Sequence, residues 1–184
     1  MRLDHVAYRV RDRYKTAEFL NKTMGYRIDP DLPDGFSLKF EDGTTTDCLV
    51  LLPEENKIKT LDWIFHTGLP SQQAYHIPPE VFVSDGGDGS IVGEWVKKMN
   101  NGVGGIHHLA YQVDSVQAVM DQMIKDGMAE FTSIKPIECD GLVQVFTKPS
   151  PYTGIIYEFI SRGIHGFCKD SVKDLMKSTK DFSQ

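Results

Sequence analysis

An internal repeat constrains the fold of this 184-residue chain more than any other feature of its sequence. Residues 3–10 read LDHVAYRV and residues 106–113 read IHHLAYQV, and one fixed offset aligns identical histidine, alanine, tyrosine and valine residues. A period of about 100 residues is too long for a solenoid repeat. The repeat therefore indicates duplication of a module of half-domain size, in a chain whose length suits one domain.

Each copy of the repeat predicts a strand, a helix and then further strands. The two octapeptides are rich in β-branched and aromatic residues, which is typical of strands. Apolar residues at helical spacing follow in both copies, and each helix ends near a glycine, Gly25 or Gly127. The segments GFSLKFEDG and TTTDCLVLLP in the first copy, and GLVQVFTKP and GIIYEFISR in the second, predict antiparallel strands. The expected fold class is therefore α+β.

A single domain, residues 1–184, accounts for all of these segments. The first module takes about residues 1–60 and the second about residues 105–162. Residues 61–104 form an irregular connection, although PEVFVSD predicts a strand and GSIVGEWVKKMNNG predicts a short helix. Apolar residues at helical spacing in the polar tail predict a terminal helix within about residues 166–180.

Composition and charge exclude several classes of protein. The net charge is −6, and the chain has no basic stripe of the kind that a nucleic-acid-binding surface needs. No apolar run approaches the ~18 residues needed to cross a bilayer, and the charged start MRLDH is unlike a secretory signal. Cys48, Cys139 and Cys168 lie far apart without a CxxC pair, which predicts reduced thiols and a cytoplasmic protein.

Two repeated histidines and one isolated carboxylate are the candidate ligands of a divalent metal ion. His5 and His108 occupy the same position of the repeated strand, each with an alanine two residues later on the same face. Glu158 lies in the apolar strand IIYEFI, where a carboxylate is costly to bury unless it is paired or ligating. Two histidines and a carboxylate form a facial triad, which leaves coordination positions open. His107 is expected to point to the opposite face.

These motifs resemble the vicinal oxygen chelate superfamily, which includes glyoxalase I, methylmalonyl-CoA epimerase and extradiol dioxygenases. Paired βαβββ modules, an H-x-A strand opening each module and a late Y-E-F strand carry the resemblance. It implies curved mixed sheets that form a half-barrel cleft around a metal. Residues 92–178 are most similar to the metal-binding half of 4-hydroxyphenylpyruvate dioxygenase, on the segments EWVKKMNNGVGGIHHLAYQV, LVQVFTKPSPYTGIIYEFISR and HGFCKDSVKDLMKS.

The likeness to that dioxygenase implies a role for each matching residue. His5, His108 and Glu158 become the ligands of an Fe(II) ion, although Mn, Co, Ni or Zn suits the same donors. Gln144 and Phe167 become substrate-binding residues. No catalytic residue beyond the metal site is implied.

Departures from that pattern leave the function open. Ser171 and Val172 replace an asparagine and a substrate-clamping phenylalanine, which argues against homogentisate formation. The first hypothesis is an Fe(II)-dependent dioxygenase acting on a small 2-oxo acid or another bidentate substrate. The second is an isomerase or lyase of the glyoxalase or methylmalonyl-CoA epimerase type, which often has a fourth protein ligand in the first module. Leu49 is expected at that position, with Asp47 as the only local substitute, which favours the dioxygenase.

The third hypothesis is a metal-free small-molecule-binding protein of the resistance type found in this superfamily. Retention of all three candidate ligands argues against it. Every hypothesis has a small molecule as the partner, with no nucleic acid and no membrane. The resemblance to this superfamily also implies that a homodimer is possible.

Overall fold

The computed structural model describes residues 1–53, 78–162, 168–178 and 180. Within these residues the chain forms a mixed α+β fold, which confirms the expected fold class. Nine strands are present in the described residues: β1 Arg2–Val10, β2 Arg27–Ile28, β3 Phe36–Lys39, β4 Thr45–Leu52, β5 Glu80–Gly86, β6 Gly104–Gln112, β7 Ile137–Cys139, β8 Leu142–Phe146 and β9 Ile156–Arg162. Four α-helices accompany them: α1 Arg13–Met24, α2 Ile91–Lys98, α3 Val116–Lys125 and α4 Lys169–Ser178.

All nine strands belong to one curved, unclosed mixed sheet. Its order is β2-β4-β5-β1-β6-β9-β8-β7, and β3 pairs with β4. The two halves of the repeat meet where β1 pairs antiparallel with β6. On either side of this centre the pairing is the same, because β5 lies parallel to β1 and β9 lies parallel to β6. The antiparallel pairs β4–β5 and β8–β9 continue the symmetry outward.

The strand and the helix predicted in the middle of the chain are present as β5 and α2. The pairing of β5 with β1 gives it the place in the first module that β9 has in the second. The expected boundary of the first module near residue 60 excludes β5. The pairing of β5 with β1 instead extends that module to Gly86.

Helices α1 and α3 cover one face of the sheet, and each begins and ends where local chemistry requires. The side chain of Asp12 accepts a hydrogen bond from the backbone N–H of Lys15, and that of Ser115 accepts one from Ala118. Helix α1 ends at Gly25, whose φ of 78° is a left-handed conformation that glycine adopts without strain. The buried apolar side chains of α1 pack on those of β4 and β5 from the same side of the sheet: Ala17, Leu20, Leu49, Leu51, Val81 and Val83.

Helices α2 and α4 pack on the opposite face of the sheet. Buried apolar residues of α2 and Met176 of α4 form one cluster with Val50 and Phe82. Leu175 of α4 packs against Phe146 and Ile156. This face of the sheet therefore carries both a core and a cavity. Among the described helices, none combines the length and apolar character needed to cross a membrane.

Two of the three cysteines are joined, which corrects the expectation of reduced thiols. Cys139 on β7 and Cys168, immediately before α4, form a disulfide with a Cα–Cα distance of 6.1 Å. Cys48 remains a buried free thiol. No spacing pattern marks the pair, because the two cysteines meet only when the chain returns to place α4 over the sheet.

Candidate metal centre

The pairing of β1 with β6 brings the two repeated histidines together. His5 lies opposite Ala110 and His108 lies opposite Ala7, so each imidazole faces a methyl group that leaves it room. The two rings share one face of the sheet, with centroids 5.4 Å apart and an interplanar angle of 79°. Because side chains alternate along a strand, the equivalent histidines of the two repeats lie on the same face of the sheet and approach each other.

Glu158 completes the cluster from the neighbouring strand. It pairs with Ala110, so that β9, β6 and β1 place it beside His5 across three adjacent strands. Its Oε2 lies 3.1 Å from Nε2 of His5 and 3.3 Å from Nε2 of His108, and the two Nε2 atoms are 3.3 Å apart. All three side chains are buried. The structure thus brings together the three residues that the sequence proposed as ligands.

The geometry of these three atoms fits a divalent metal ion. Bonds of about 2.1 Å at right angles, as on one face of an octahedron, separate ligand atoms by about 3.0 Å. Tetrahedral angles at the same bond length separate them by about 3.4 Å. The observed separations of 3.1 to 3.3 Å lie between these values. Two imidazoles and one carboxylate can therefore hold one ion with little movement.

The electrostatics of the cluster favour an ionised carboxylate. Burial alone would raise the pKa of Glu158, but attraction to His5 and hydrogen bonds with both histidines outweigh it and lower the pKa to about 2. Burial likewise would lower the pKa of His5, but the charge of Glu158 and hydrogen bonds with Asp4 and Glu158 raise it to about 9. Burial lowers the pKa of His108. Without a metal, the site is therefore a carboxylate paired with a protonated His5.

Metal binding is expected to tighten as the pH rises. A metal ligand must be a neutral imidazole, so an incoming cation displaces the proton that His5 holds below its pKa of about 9. Glu158 stays ionised throughout this range. The affinity for Mn(II), measured by titration calorimetry, should rise by up to about tenfold per unit between pH 6.5 and 8.5, with release of one proton. A flat profile without proton release would contradict this assignment.

Two β-bulges orient the histidines through the residues that precede them. The register of β1 against β6 shifts between Leu3 and His5, and again between Ala7 and Tyr8, which leaves Asp4 and His107 as the extra residues. Oδ2 of Asp4 lies 3.0 Å from Nδ1 of His5, and Nδ1 of His107 lies 2.9 Å from Nδ1 of His108. Asp4 and His107 occupy equivalent positions of the repeat, and each contacts the far nitrogen of a candidate ligand.

The expectation that His107 points away from the site is wrong for this reason. Simple alternation would place it on the opposite face, but the bulge turns it toward the cavity, where it is buried and contacts the rings of His108 and Trp95. Asp4 was likewise missed by sequence reasoning. Its signal was a charged residue inside a strand that is otherwise apolar.

Asp4 lies between the imidazole of His5 and the guanidinium group of Arg162. Nη2 of Arg162 lies 2.9 Å from Oδ2 of Asp4 and 3.0 Å from Oε2 of Glu80. Burial would raise the pKa of Asp4, but the hydrogen bond with His5 and the charge of Arg162 lower it. An ionised Asp4 only accepts hydrogen bonds, so Nδ1 of His5 donates and Nε2 is the nitrogen available to a metal.

Replacing Asp4 by asparagine is expected to weaken metal binding by about ten- to a hundredfold. The amide lacks the charge that makes the His5 ring a better ligand, and it can present its N–H to Nδ1 instead of its oxygen. Mn(II) affinity measured on folded protein tests this, with Asp114→Asn, an exposed aspartate of the second module, as the control. Equal affinity in Asp4→Asn and Asp114→Asn would contradict the role of Asp4.

The residue expected at the fourth-ligand position is corrected by the structure. Leu49 is fully buried against α1, on the far side of the sheet from the histidines. Asp47 is held by Arg13 and Ser37. The symmetric equivalent of Glu158 is instead Phe82, since Phe82 pairs with Ala7 as Glu158 pairs with Ala110. Among the described residues, no fourth acidic, histidine or cysteine ligand joins the three.

Phe82 contacts the ring of His5, with centroids 5.0 Å apart. The place of a symmetric second carboxylate is therefore taken by an apolar ring. A three-ligand site stays a prediction, and the residue at the symmetric position is Phe82 on β5 rather than Leu49.

A cavity opens beside the three candidate ligands. Gln144 lines it from β8 and is 4% exposed. Phe146, Val172 and Leu175 supply apolar walls. Contact of Gln144 with a substrate stays a prediction, and Phe167 lies outside the described residues.

The fold and the site together define a two-module protein with a three-residue candidate metal centre on one face of its sheet. A family model described as the glyoxalase/bleomycin resistance protein/dioxygenase superfamily matches residues 4–143. The chain therefore belongs to this superfamily, also called the vicinal oxygen chelate superfamily, as the resemblance implied. No curated protein sequence matches the chain at a significant level.

Solved structures of two kinds share the fold. A selenomethionine methylmalonyl-CoA epimerase aligns with a TM-score of 0.58 and 22% identity over 89% of this chain and 96% of its own. The methylmalonyl-CoA epimerase of Mycobacterium tuberculosis aligns with a TM-score of 0.55 and 15% identity over 88% and 87%. A mutant 4-hydroxymandelate synthase from Streptomyces coelicolor aligns with a TM-score of 0.64 and 20% identity over 97% of this chain and 53% of its own. At these identities the likeness shows the fold alone.

Proposed function

We propose that the protein is a divalent-metal-dependent enzyme, specifically a non-haem Fe(II)-dependent dioxygenase acting on a small 2-oxo acid or another bidentate substrate. The observation that carries the proposal is the set of three candidate ligands, with Phe82 where a second carboxylate would complete a four-ligand site. When held by these residues, an iron ion supplies open coordination positions and redox chemistry. Fe(II) is the proposed cofactor, and Mn, Co, Ni and Zn suit the same donors.

The chain's own residues would bind and orient the substrate. Asp4 and His107 fix the ring orientation of the two histidines, which keeps both Nε2 atoms directed at one point. Gln144, which lines the cavity, would form a hydrogen bond with a substrate oxygen through its amide. Phe82 and Phe146 limit the access of water beside the ligands. A substrate contact of Phe167 remains part of the proposal.

A second candidate is an isomerase or lyase of the methylmalonyl-CoA epimerase or glyoxalase type. The observation that favours it is the fold shared with a methylmalonyl-CoA epimerase, which aligns over 89% of this chain and 96% of its own. In that case the site would serve proton transfer next to a carbonyl group, with no consumption of oxygen.

Oxygen uptake separates the two candidates. Anaerobically purified protein is loaded with Fe(II) and mixed with a panel of 2-oxo acids, and both dissolved oxygen and proton exchange next to the carbonyl are followed. Oxygen consumption in step with loss of the 2-oxo acid, absent in His108→Ala, is the expected result. Exchange of the carbon-bound proton in D₂O without oxygen uptake would overturn the dioxygenase in favour of the isomerase. Binding without either reaction would support a resistance-type binding protein.

A cytoplasmic location and a homodimer both remain predictions. The disulfide between Cys139 and Cys168 bears on the first, because such bonds are rare in reducing compartments. A count of free thiols in protein isolated from its own cells under alkylating conditions tests the first prediction: three free thiols would support a reducing compartment, and one would contradict it.

A further inference from the structure

A buried arginine lines the same cavity as the candidate ligands. Arg9 follows His5 by four residues on β1, so that both side chains lie on one face of the strand. At the rise of a β-strand, their Cα atoms are about 13 Å apart. Arg9 is 2% exposed. The guanidinium group of Arg9 therefore lines the same cavity as the three candidate ligands.

The guanidinium of Arg9 is charged at neutral pH although it is removed from water. Burial lowers the pKa of Arg9 to about 9. Burial also raises the pKa of the nearby Cys48 thiol to about 12, so this neighbour is neutral. The ring of Trp95 lies beside the group, with its centroid 5.7 Å from Cζ. An anion in such a place is attracted more strongly than at the protein surface.

A second donor in this cavity follows from the hydrogen bonds of the metal ligands. A metal held by Nε2 of His108 requires the proton of that ring to be on Nδ1. Nδ1 of His108 then donates to Nδ1 of His107 at 2.9 Å. As a neutral ring that accepts at Nδ1, His107 carries its own proton on Nε2.

Nε2 of His107 is therefore a donor, and it has no hydrogen-bond partner among the described residues. His107 is 5% exposed and lines the cavity. Its ring contacts Trp95, the same ring that lies beside Arg9. A buried N–H without a partner is costly, and a bound acceptor would remove that cost.

We propose that Arg9 and His107 form an anion-binding subsite, and that the substrate carries a carboxylate at the end remote from its metal-chelating group. A guanidinium binds a carboxylate through two parallel hydrogen bonds, and the imidazole N–H supplies a third. The substrate class is then a 2-oxo dicarboxylic acid rather than a 2-oxo acid with an apolar end. This inference rests on the proposed function, because the candidate metal centre has to hold the near end of the same molecule.

Fluorescence of Trp95 can report the occupancy of this subsite. The chain has two tryptophans, so Trp63→Phe leaves Trp95 as the single reporter. This protein, loaded with redox-silent Zn(II), is titrated with 2-oxoadipate and with 2-oxohexanoate, which differ only by a carboxylate in place of a terminal methyl group. The dicarboxylate is expected to bind at least about tenfold more tightly, as one charge-assisted contact provides. Equal affinities would overturn the subsite and leave the proposed metal centre intact.

Substitutions locate the effect at Arg9. Arg9→Met should remove the preference for 2-oxoadipate while leaving the affinity for 2-oxohexanoate and the zinc content unchanged, and Arg9→Lys should keep part of it. Arg2→Met, an exposed arginine of the same strand, is the matched control and should keep it all. A preference that survives in folded Arg9→Met would contradict the assignment. If the Trp63→Phe protein binds no zinc but still binds 2-oxoadipate more tightly than 2-oxohexanoate, the proposed function would be overturned and the anion-binding subsite would stand.

Discussion

Replacing Glu158 with glutamine is expected to lower the affinity for divalent metal ions by more than about a hundredfold. Loss of a residue that merely orients a ligand already costs about ten- to a hundredfold, and Glu158 contributes the only carboxylate to the described cluster. The amide keeps the size of the side chain but removes its negative charge. Titration with Mn(II) at pH 7.5, with metal content measured after dialysis, provides the test.

The control for this substitution is Glu130→Gln. Glu130 is exposed and pairs with Lys148 on the surface, 2.6 Å away. The Glu130→Gln substitution removes one negative charge from the chain, as Glu158→Gln does. Any general effect of net charge on metal affinity is therefore the same in both variants. If both Glu158→Gln and Glu130→Gln bind Mn(II) with wild-type affinity, the metal does not bind where the three residues converge.

Removing the disulfide is expected to destabilise the protein by about 3 to 4 kcal/mol. The bond closes a loop between residues 29 positions apart, and loop-closure entropy gives this magnitude. For a chain of this length the melting temperature should fall by roughly 10 °C. Because the bond holds the start of α4, whose Leu175 and Met176 line the cavity, substrate affinity should fall as well. Thermal unfolding of the Cys139→Ser/Cys168→Ser protein provides the measurement.

Reductant and thiol counting supply the controls. Wild-type protein denatured without reductant should show one reactive thiol, that of Cys48, and three after reduction. Reductant should lower the melting temperature of the wild type but not that of the double serine variant. Three thiols before reduction, with equal melting temperatures in both proteins, would contradict the bond.

The convergence of the ligands could be predicted because it depends on the repeat. Equivalent positions in two copies of one strand lie near the axis that relates the copies, so His5 and His108 meet once β1 and β6 pair. Glu158 could be predicted because a carboxylate within an apolar strand needs a compensating partner. Local pattern and symmetry, which are present in full in the sequence, are sufficient to identify all three residues.

The features that escaped prediction depend on register and on distant contacts. His107 faces the cavity only because a bulge adds one residue to β6, and no local pattern marks that bulge. Phe82 could not be recognised as the symmetric partner of Glu158 until the pairing of β5 was known. The bond between Cys139 and Cys168 depends on where α4 returns to the sheet.

The most direct test of the central claim is a crystal structure of the protein grown with Mn(II), with the metal located by its anomalous scattering. The account predicts one peak per chain, at about 2.0 to 2.3 Å from Nε2 of His5, Nε2 of His108 and a carboxylate oxygen of Glu158. The absence of a peak among these three residues would contradict the account.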